Sequence, residues 1–503
     1  MKRRRLLQAA ALSLCPVSCK EGAATKANAA PPLPFATLAD LAAQLEKKET
    51  TPLVIAEHFL DRIAKLDKAG PDAAKHINAV LEVNPDAQSI AASPKAGPLH
   101  GLPVLIKDNI DTADGMQTTA GSLALRGSKP RQDAALVKRL REAGAVILGK
   151  TNLSEWANIR SPDSTSGWSA RGGLTRNPHR PTHSASGSSS GSAAAVAAGL
   201  IPAAIGTETN GSIVSPASAC GIVGFKPTVG LISGAGVIPI THWQDTPGPM
   251  TLTVRDAALL MQALAEKPLK VELKDDALKG ARLGILRQQS GKNPQVQALF
   301  DAALEKLRQA GAIIIDNVAL PHAGKAGSLA WKAMLIELRQ DLNAYLEQRG
   351  GDVRSLAELI AFNDKHGDEE LKHFGQEFFL QAESLGSEES VATGKAAREE
   401  ARKLAGPEGI DLAFKAHHLD ALICPTNDPV GRIDLEKGDT HERVASTPAA
   451  VAGSPHLTVP MGFIEGLPVG FSFMGATDAD ARVLALGHAF EQITKARREP
   501  GAA

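Results

Sequence analysis

Residues 183–200 read HSASGSSSGSAAAVAAGL, and how this stretch is understood decides what kind of protein the chain makes. Six of its first ten residues are serine. Three readings compete: a flexible Gly/Ser linker, a strained turn carrying a hydrolase nucleophile, or one part of a different catalytic apparatus. A linker separates domains. This stretch instead runs directly into SAAAVAA, residues 192–198, a strong helix former. A Gly/Ser loop that opens a helix presents unpaired backbone N–H groups, and its small side chains permit close approach. The strained turn has a local match. Gly187-Ser188-Ser189-Ser190-Gly191 fits G-x-S-x-G and would make Ser189 the nucleophile. That turn must follow a strand, yet NPHRPTH at 177–183 carries two prolines and no apolar alternation. None of the downstream histidines (His366, His417, His418, His441, His456) is marked out as a triad base.

The surroundings narrow the choice. The chain has 503 residues with 55 basic and 55 acidic side chains, hence no net charge. A nucleic-acid partner, which needs a basic stripe, is not expected. Hydrophobic residues make up 43% and aromatics only 4%. A large core with small side chains between closely packed elements follows. Leu38, Leu41 and Leu45 have helical spacing behind Thr37 as N-cap, and Thr51-Pro52 opens a second helix. Helical patterns then alternate with short apolar strands: 133–143 before 145–148, 296–310 before 313–315, and 412–419 before 422–423. This grammar predicts an α/β protein with a largely covered sheet, while the length alone would allow roughly two to four domains. Residues 325–410 are more helical and more charged, and are read as a lid or subdomain.

The N-terminus has its own logic. Lys2 to Arg5 are basic, Leu6 to Val17 are mostly apolar, and Ala27-Asn28-Ala29 is an A-x-A cleavage pattern. Residues 1–29 are read as an export signal, leaving 30–503 as the mature domain. Arg3-Arg4-Arg5-Leu6-Leu7 resembles a twin-arginine signal, which points to a periplasmic protein. Lipid attachment at Cys19 is the lesser alternative, since Pro16-Val17-Ser18 fits such a site poorly. The apolar run is too short to span a bilayer, so no stable membrane insertion of the mature chain is expected. Cleavage leaves only Cys220 and Cys424, which make neither a disulfide framework nor a metal site. No H-E-x-x-H, paired-cysteine or carboxylate cluster appears, and neither metal nor other cofactor is expected. A monomer is the expected state.

The third reading needs two more stretches. GTETNGSIVSPASACG, residues 206–221, again sets Gly and polar residues around one serine, Ser212, after an apolar approach. GLPVLIKDNID, residues 101–111, puts Lys107 on or beside a buried strand. A lysine in low-dielectric surroundings loses basicity and can serve as a general base. Two serines and such a lysine can together do what Ser–His–Asp does.

These stretches, with GKTNLSEWA (149–157), GFKPTVG (224–230), CPTN (424–427) and VAGSPHLTVPMG (451–462), resemble the amidase signature family. The likeness runs from about residue 36 to about 496. It implies the amidase signature fold, a single large α/β domain with a mixed central sheet covered by helices, and a Ser–cis-Ser–Lys triad. Lys107 would be the base, Ser188 the bridging serine on a cis peptide, and Ser212 the nucleophile. The 24 residues from Ser188 to Ser212 match the family's spacing. The backbone N–H groups of Thr209, Asn210, Gly211 and Ser212 would hold the oxyanion. Asp108 or Ser186 would support the cis-serine loop. SEWANIRSPDSTSGWSARGG (154–173) and the pieces FNDKHG and FGQE within 362–377 resemble the peptide-amidase branch. The implied reaction is hydrolysis of carboxamides, foremost C-terminal amides of peptides, releasing ammonia from an acyl-enzyme. Small aryl, alkyl or fatty-acid amides are the alternative substrates. The rival roles are an amidotransferase subunit, which an export signal argues against, and a non-catalytic binder. Two departures stand out. Asn210-Gly211 replaces the usual Gly-Gly, where asparagine's tolerance of left-handed backbone would let the turn survive. Ser190 replaces a glycine common in the family.

Overall fold

A computed structural model describes residues 34–68, 76–439 and 444–501. The segment read as an export signal therefore lies outside the described residues, as do Cys15, Cys19 and His441. The described strands are β1 (Val80–Val83), β2 (Pro103–Lys107), β3 (Val146–Thr151), β4 (Trp168–Ser169), β5 (Gly173–Leu174), β6 (Ala203–Glu208), β7 (Val223–Lys226), β8 (Thr246–Thr251), β9 (Arg282–Ile285), β10 (Ile313–Ile315), β11 (Ala421–Pro425), β12 (His456–Ile464) and β13 (Leu467–Met474). Eleven form one sheet in the order β1-β3-β2-β6-β8-β7-β12-β13-β11-β9-β10. Strands β3, β2 and β6 are mutually parallel, as are β11, β9 and β10, while the middle of the sheet is antiparallel. The mixed α/β sheet covered by helices is thus the architecture the sequence predicts.

Burial explains the strand sequences. PVLIK of β2, VILGKT of β3 and AAIGTE of β6 are buried at every position. Helices cover both faces, so these strands read as continuous apolar runs rather than alternating ones. The register pairs Leu105 with Ala204 and Ile106 with Ile205, which brings the ends of β2 and β6 side by side. Lys107 is the last residue of β2 and cannot leave the interior.

Local signals also hold. Thr37 caps the helix Leu38–Glu46 in a capping box with Asp40, and Thr51 caps the helix Pro52–Arg62. The helix expected over 133–143 spans Ala135–Glu142, because the Asp133 carboxylate is held outside it by Ala113 N–H and Arg141. Cys220 and Cys424 are both fully buried. Residues 323–417 are largely helical, beginning with the long helix Ala323–Arg349. Met334, Leu338 and Leu342 of that helix pack with Trp156, Ile159 and Ile240 in a hydrophobic cluster beside the main core. Buried charge reinforces the junction: Arg398 pairs with Glu337 at 2.6 Å, and Glu337 accepts from Thr241 at 2.7 Å. Among the described residues no helix is long and apolar enough to cross a membrane.

Candidate active site

Lys107, Ser188 and Ser212 come from three sequence-distant segments that the sheet brings together. Lys107 ends β2. The serine loop 183–189 crosses the ends of β2 and β6 and opens the helix Ser190–Ala197, in which every residue is buried. The 209–213 loop follows β6 and opens the helix Val214–Ala219. The close fit depends on missing side chains. A Cβ at Gly187 would lie 2.2 Å from Ser154 Oγ.

Lys107 is fully buried. Its Nζ lies 2.8 Å from Ser188 Oγ, 2.9 Å from Thr207 Oγ1 and 3.2 Å from the Thr207 carbonyl oxygen. Burial pushes its pKa down to about 7, while the carboxylates of Asp245 and Glu208 pull it upward. The peptide bond between Gly187 and Ser188 is cis. The Ser188 carbonyl accepts from Ser154 N–H at 3.0 Å. Asp108 is not a support for this loop. Its carboxylate is taken by Thr119, Gly121 and Arg171. Ser186 contributes instead, accepting from Ser190 Oγ at 2.5 Å through its carbonyl and pairing its hydroxyl with that of Ser215 at 2.8 Å. Ser190, the departure from the family's glycine, therefore ties the loop together.

Ser212 is half-buried, and its carbonyl accepts from Ser189 N–H at 3.1 Å. One backbone hydrogen bond thus fixes the 209–212 loop against the serine loop. Glu208 accepts from Ile213 N–H at 2.8 Å and Val214 N–H at 3.0 Å, satisfying the helix start behind Ser212. The Thr209 hydroxyl donates to Asp245 at 2.5 Å, and the Asn210 side chain joins Ser446 and Thr447. None of the N–H groups of Thr209, Asn210, Gly211 and Ser212 is hydrogen-bonded to another described residue. The left-handed residue of this turn is Gly211, at φ +89°. Asn210 does not need the left-handed tolerance expected of it, so its replacement of a glycine costs the turn nothing.

Ser189 behaves differently from Ser212. It is fully buried, its hydroxyl donates to the Thr207 carbonyl at 3.1 Å, and it accepts from Thr207 N–H at 3.2 Å. It pins the loop to β6, and a loop rather than a strand precedes it. A cleft of about 180 Å³ opens against Gly187 and Gly211 and is walled by Asn158, Ser186, Asn210 and Arg432. A larger cleft of about 360 Å³, lined by Asp111, Arg131, Tyr345 and Arg349, contains none of these serines. Among the described residues no group of three or more His, Cys, Asp or Glu side chains could hold a metal ion.

Sequence reasoning missed Thr207, Asn109, Ser154 and Asp245. Thr207 is the most consequential: its carbonyl and hydroxyl both face the Lys107 amine, and Asn109 Nδ2 donates to the same hydroxyl at 3.0 Å. The parallel pairing of β2 with β6 places residue 107 beside the start of GTETNG, where Thr207 lies.

Known proteins resemble this chain in sequence and fold. A family model described as Amidase matches residues 55–484. The chain is 38% identical over 502 residues to "Probable amidase At4g34880" of Arabidopsis thaliana, covering 92% of this chain and 91% of that protein. The X-ray structure of native peptide amidase from Stenotrophomonas maltophilia superposes with a TM-score of 0.87 at 46% identity, covering 93% of this chain and 99% of that one. The crystal structure of an amidase family protein from Bacillus anthracis superposes with a TM-score of 0.80 at 32% identity, covering 92% of each chain. The chain belongs to the amidase signature family and is an amidase.

Proposed function

We propose that the enzyme hydrolyses C-terminal amides of peptides through an acyl-enzyme on Ser212. Neutral Lys107 takes a proton from Ser188, Ser188 takes one from Ser212, and Ser212 attacks the amide carbonyl. The N–H groups of residues 209–212 hold the oxyanion; one such donor is typically worth ~3 kcal/mol of barrier. The same relay returns the proton to the departing nitrogen, ammonia leaves, and water hydrolyses the ester. The observation that carries this reading is the fully buried Lys107 amine, 2.8 Å from the Ser188 hydroxyl and with both other contacts on Thr207. A buried amine with a pKa near 7 is a base at neutral pH. Likeness to peptide amidase supports the peptide substrate.

Ammonia release from an amidated peptide tests the reading with Ser212→Ala, Ser188→Ala and Ser189→Ala variants. Loss in the first two with retention in the third is expected; a dead Ser189→Ala beside an active Ser212→Ala overturns it. Peptide amides run against free aryl and alkyl amides separate the peptide from the small-amide reading. The composition of residues 1–29 supports a periplasmic location for the mature enzyme. Recovery of a shortened chain in the periplasmic fraction is the expected result.

A further inference from the structure

Tryptophan is scarce in this chain, with four in 503 residues, yet Trp331 leaves 39% of its surface exposed. Its ring meets Phe378 edge-on at 4.9 Å between centroids. Both can be located relative to the cleft. Phe378 N–H donates to the Arg160 carbonyl at 3.1 Å, and Arg160 follows by two residues the cleft residue Asn158. On the other side, Gly327 sits one turn before Trp331 in the helix Ala323–Arg349. A Cβ at Gly327 would lie 3.2 Å from Thr447 Cγ2, and Thr447 Oγ1 is 3.2 Å from Nδ2 of Asn210 on the opposite cleft wall. Gly327, Trp331, Met334 and Leu338 share one face of that helix. Met334 and Leu338 bury themselves against Trp156 and Ile159. Trp331 is therefore carried on a helix that borders both the 158–160 segment, through Phe378, and the Asn210 segment, through Thr447, and its indole is left partly uncovered.

We propose that Trp331 and Phe378 form an apolar platform at the cleft mouth that receives the side chain of the residue preceding the amidated one in a peptide amide. The inference rests on the peptide-amide reading above. Its chemistry follows from the leaving group. Ammonia needs no extended subsite, so every surface reached beyond the scissile carbonyl meets the acyl portion of the substrate. The cleft against the serines is polar, walled by Asn158, Ser186, Asn210 and Arg432, and suits the peptide backbone. An aromatic edge-to-face pair with an open side suits an apolar or aromatic side chain.

The test compares kcat/KM for amidated dipeptides with phenylalanine or glycine at the first position and a common amidated second residue. Wild-type enzyme is expected to favour phenylalanine. Trp331→Ala is expected to lower the phenylalanine-to-glycine ratio of kcat/KM by about tenfold, mainly through KM, the scale of one partly exposed aromatic contact. Trp331→Phe is expected to restore most of the ratio. A general structural role for Trp331 would lower both series in parallel, so an unmoved ratio in an active variant overturns the platform alone. A wild-type enzyme that cleaves small amides but neither dipeptide amide overturns the peptide-amide reading and the platform together.

Discussion

Replacing Lys107 with methionine separates activity from stability in a way few substitutions would. A lysine pKa of about 7 instead of 10.5 leaves roughly half the amines neutral at pH 7, against about one in 3,000 unperturbed. The same displacement is a cost to the fold. About 3.5 pH units at about 1.4 kcal/mol each make ~5 kcal/mol against the protonated form inside the protein. The sign is fixed by proton counting. Between about pH 7 and 10.5 the unfolded chain holds this proton and the folded chain does not, so the group's contribution to stability rises with pH across that window. Below pH 7 its cost is complete. Methionine removes that cost but leaves Ser188 Oγ and the two Thr207 oxygens without the amine. At ~1 kcal/mol for each lost hydrogen bond, the expected net gain in unfolding free energy at pH 7 is about 2 kcal/mol. Loss of the base is expected to cut kcat at least ~10²-fold. Urea unfolding at pH 7 and pH 10 measures the first effect, and ammonia release measures the second. The gain should shrink toward pH 10. A variant that is inactive but less stable at pH 7, or one that keeps activity within a few-fold, would refute the reasoning.

Other consequences are equally concrete. The wild-type kcat/KM profile should rise tenfold per pH unit up to about pH 7 and then level off; a profile flat from pH 5 to 8 would exclude Lys107 as the titrating base. Thr207→Val removes one of the oxygens facing the amine and should lower kcat by ~10-fold or more with little change in KM, while Thr207→Ser should recover it. Arg160 is fully buried between Glu155 at 2.7 Å and Glu370 at 3.7 Å, so Arg160→Met strands two buried carboxylates and should cost ~3–5 kcal/mol in urea unfolding.

Much of the fold was legible because the strands are buried on both faces, and their apolar runs end at polar residues. Lys107 could be singled out for that reason: an ionisable residue directly after five apolar or proline residues, 102–106, has nowhere to go but inward. Ser212 and Ser188 entered through the family resemblance, which their Gly-rich settings and 24-residue spacing carry. Thr207 was not, because threonine in a buried strand is unremarkable until the neighbouring strand is known. Ser189 and Ser212 could not be told apart by local pattern either. The distinction is tertiary: one hydroxyl is spent on the β6 backbone, and the other belongs to a half-buried residue in a turn whose 209–212 N–H groups bond to no other described residue. The expectation about Asn210 failed on a one-residue question of backbone geometry, since Gly211 takes the left-handed position. The Trp331–Phe378 pair was invisible in the sequence because it is made between two separate helices, Ala323–Arg349 and Glu377–Ser384, whose packing no local pattern specifies.

The most direct measurement is to trap the acyl-enzyme. Treatment with a serine-directed fluorophosphonate, followed by peptide mass mapping, should place the label on Ser212 in the wild type and on nothing in Ser212→Ala. Label on Ser188 or Ser189, or an active enzyme that never takes the label, would contradict the account.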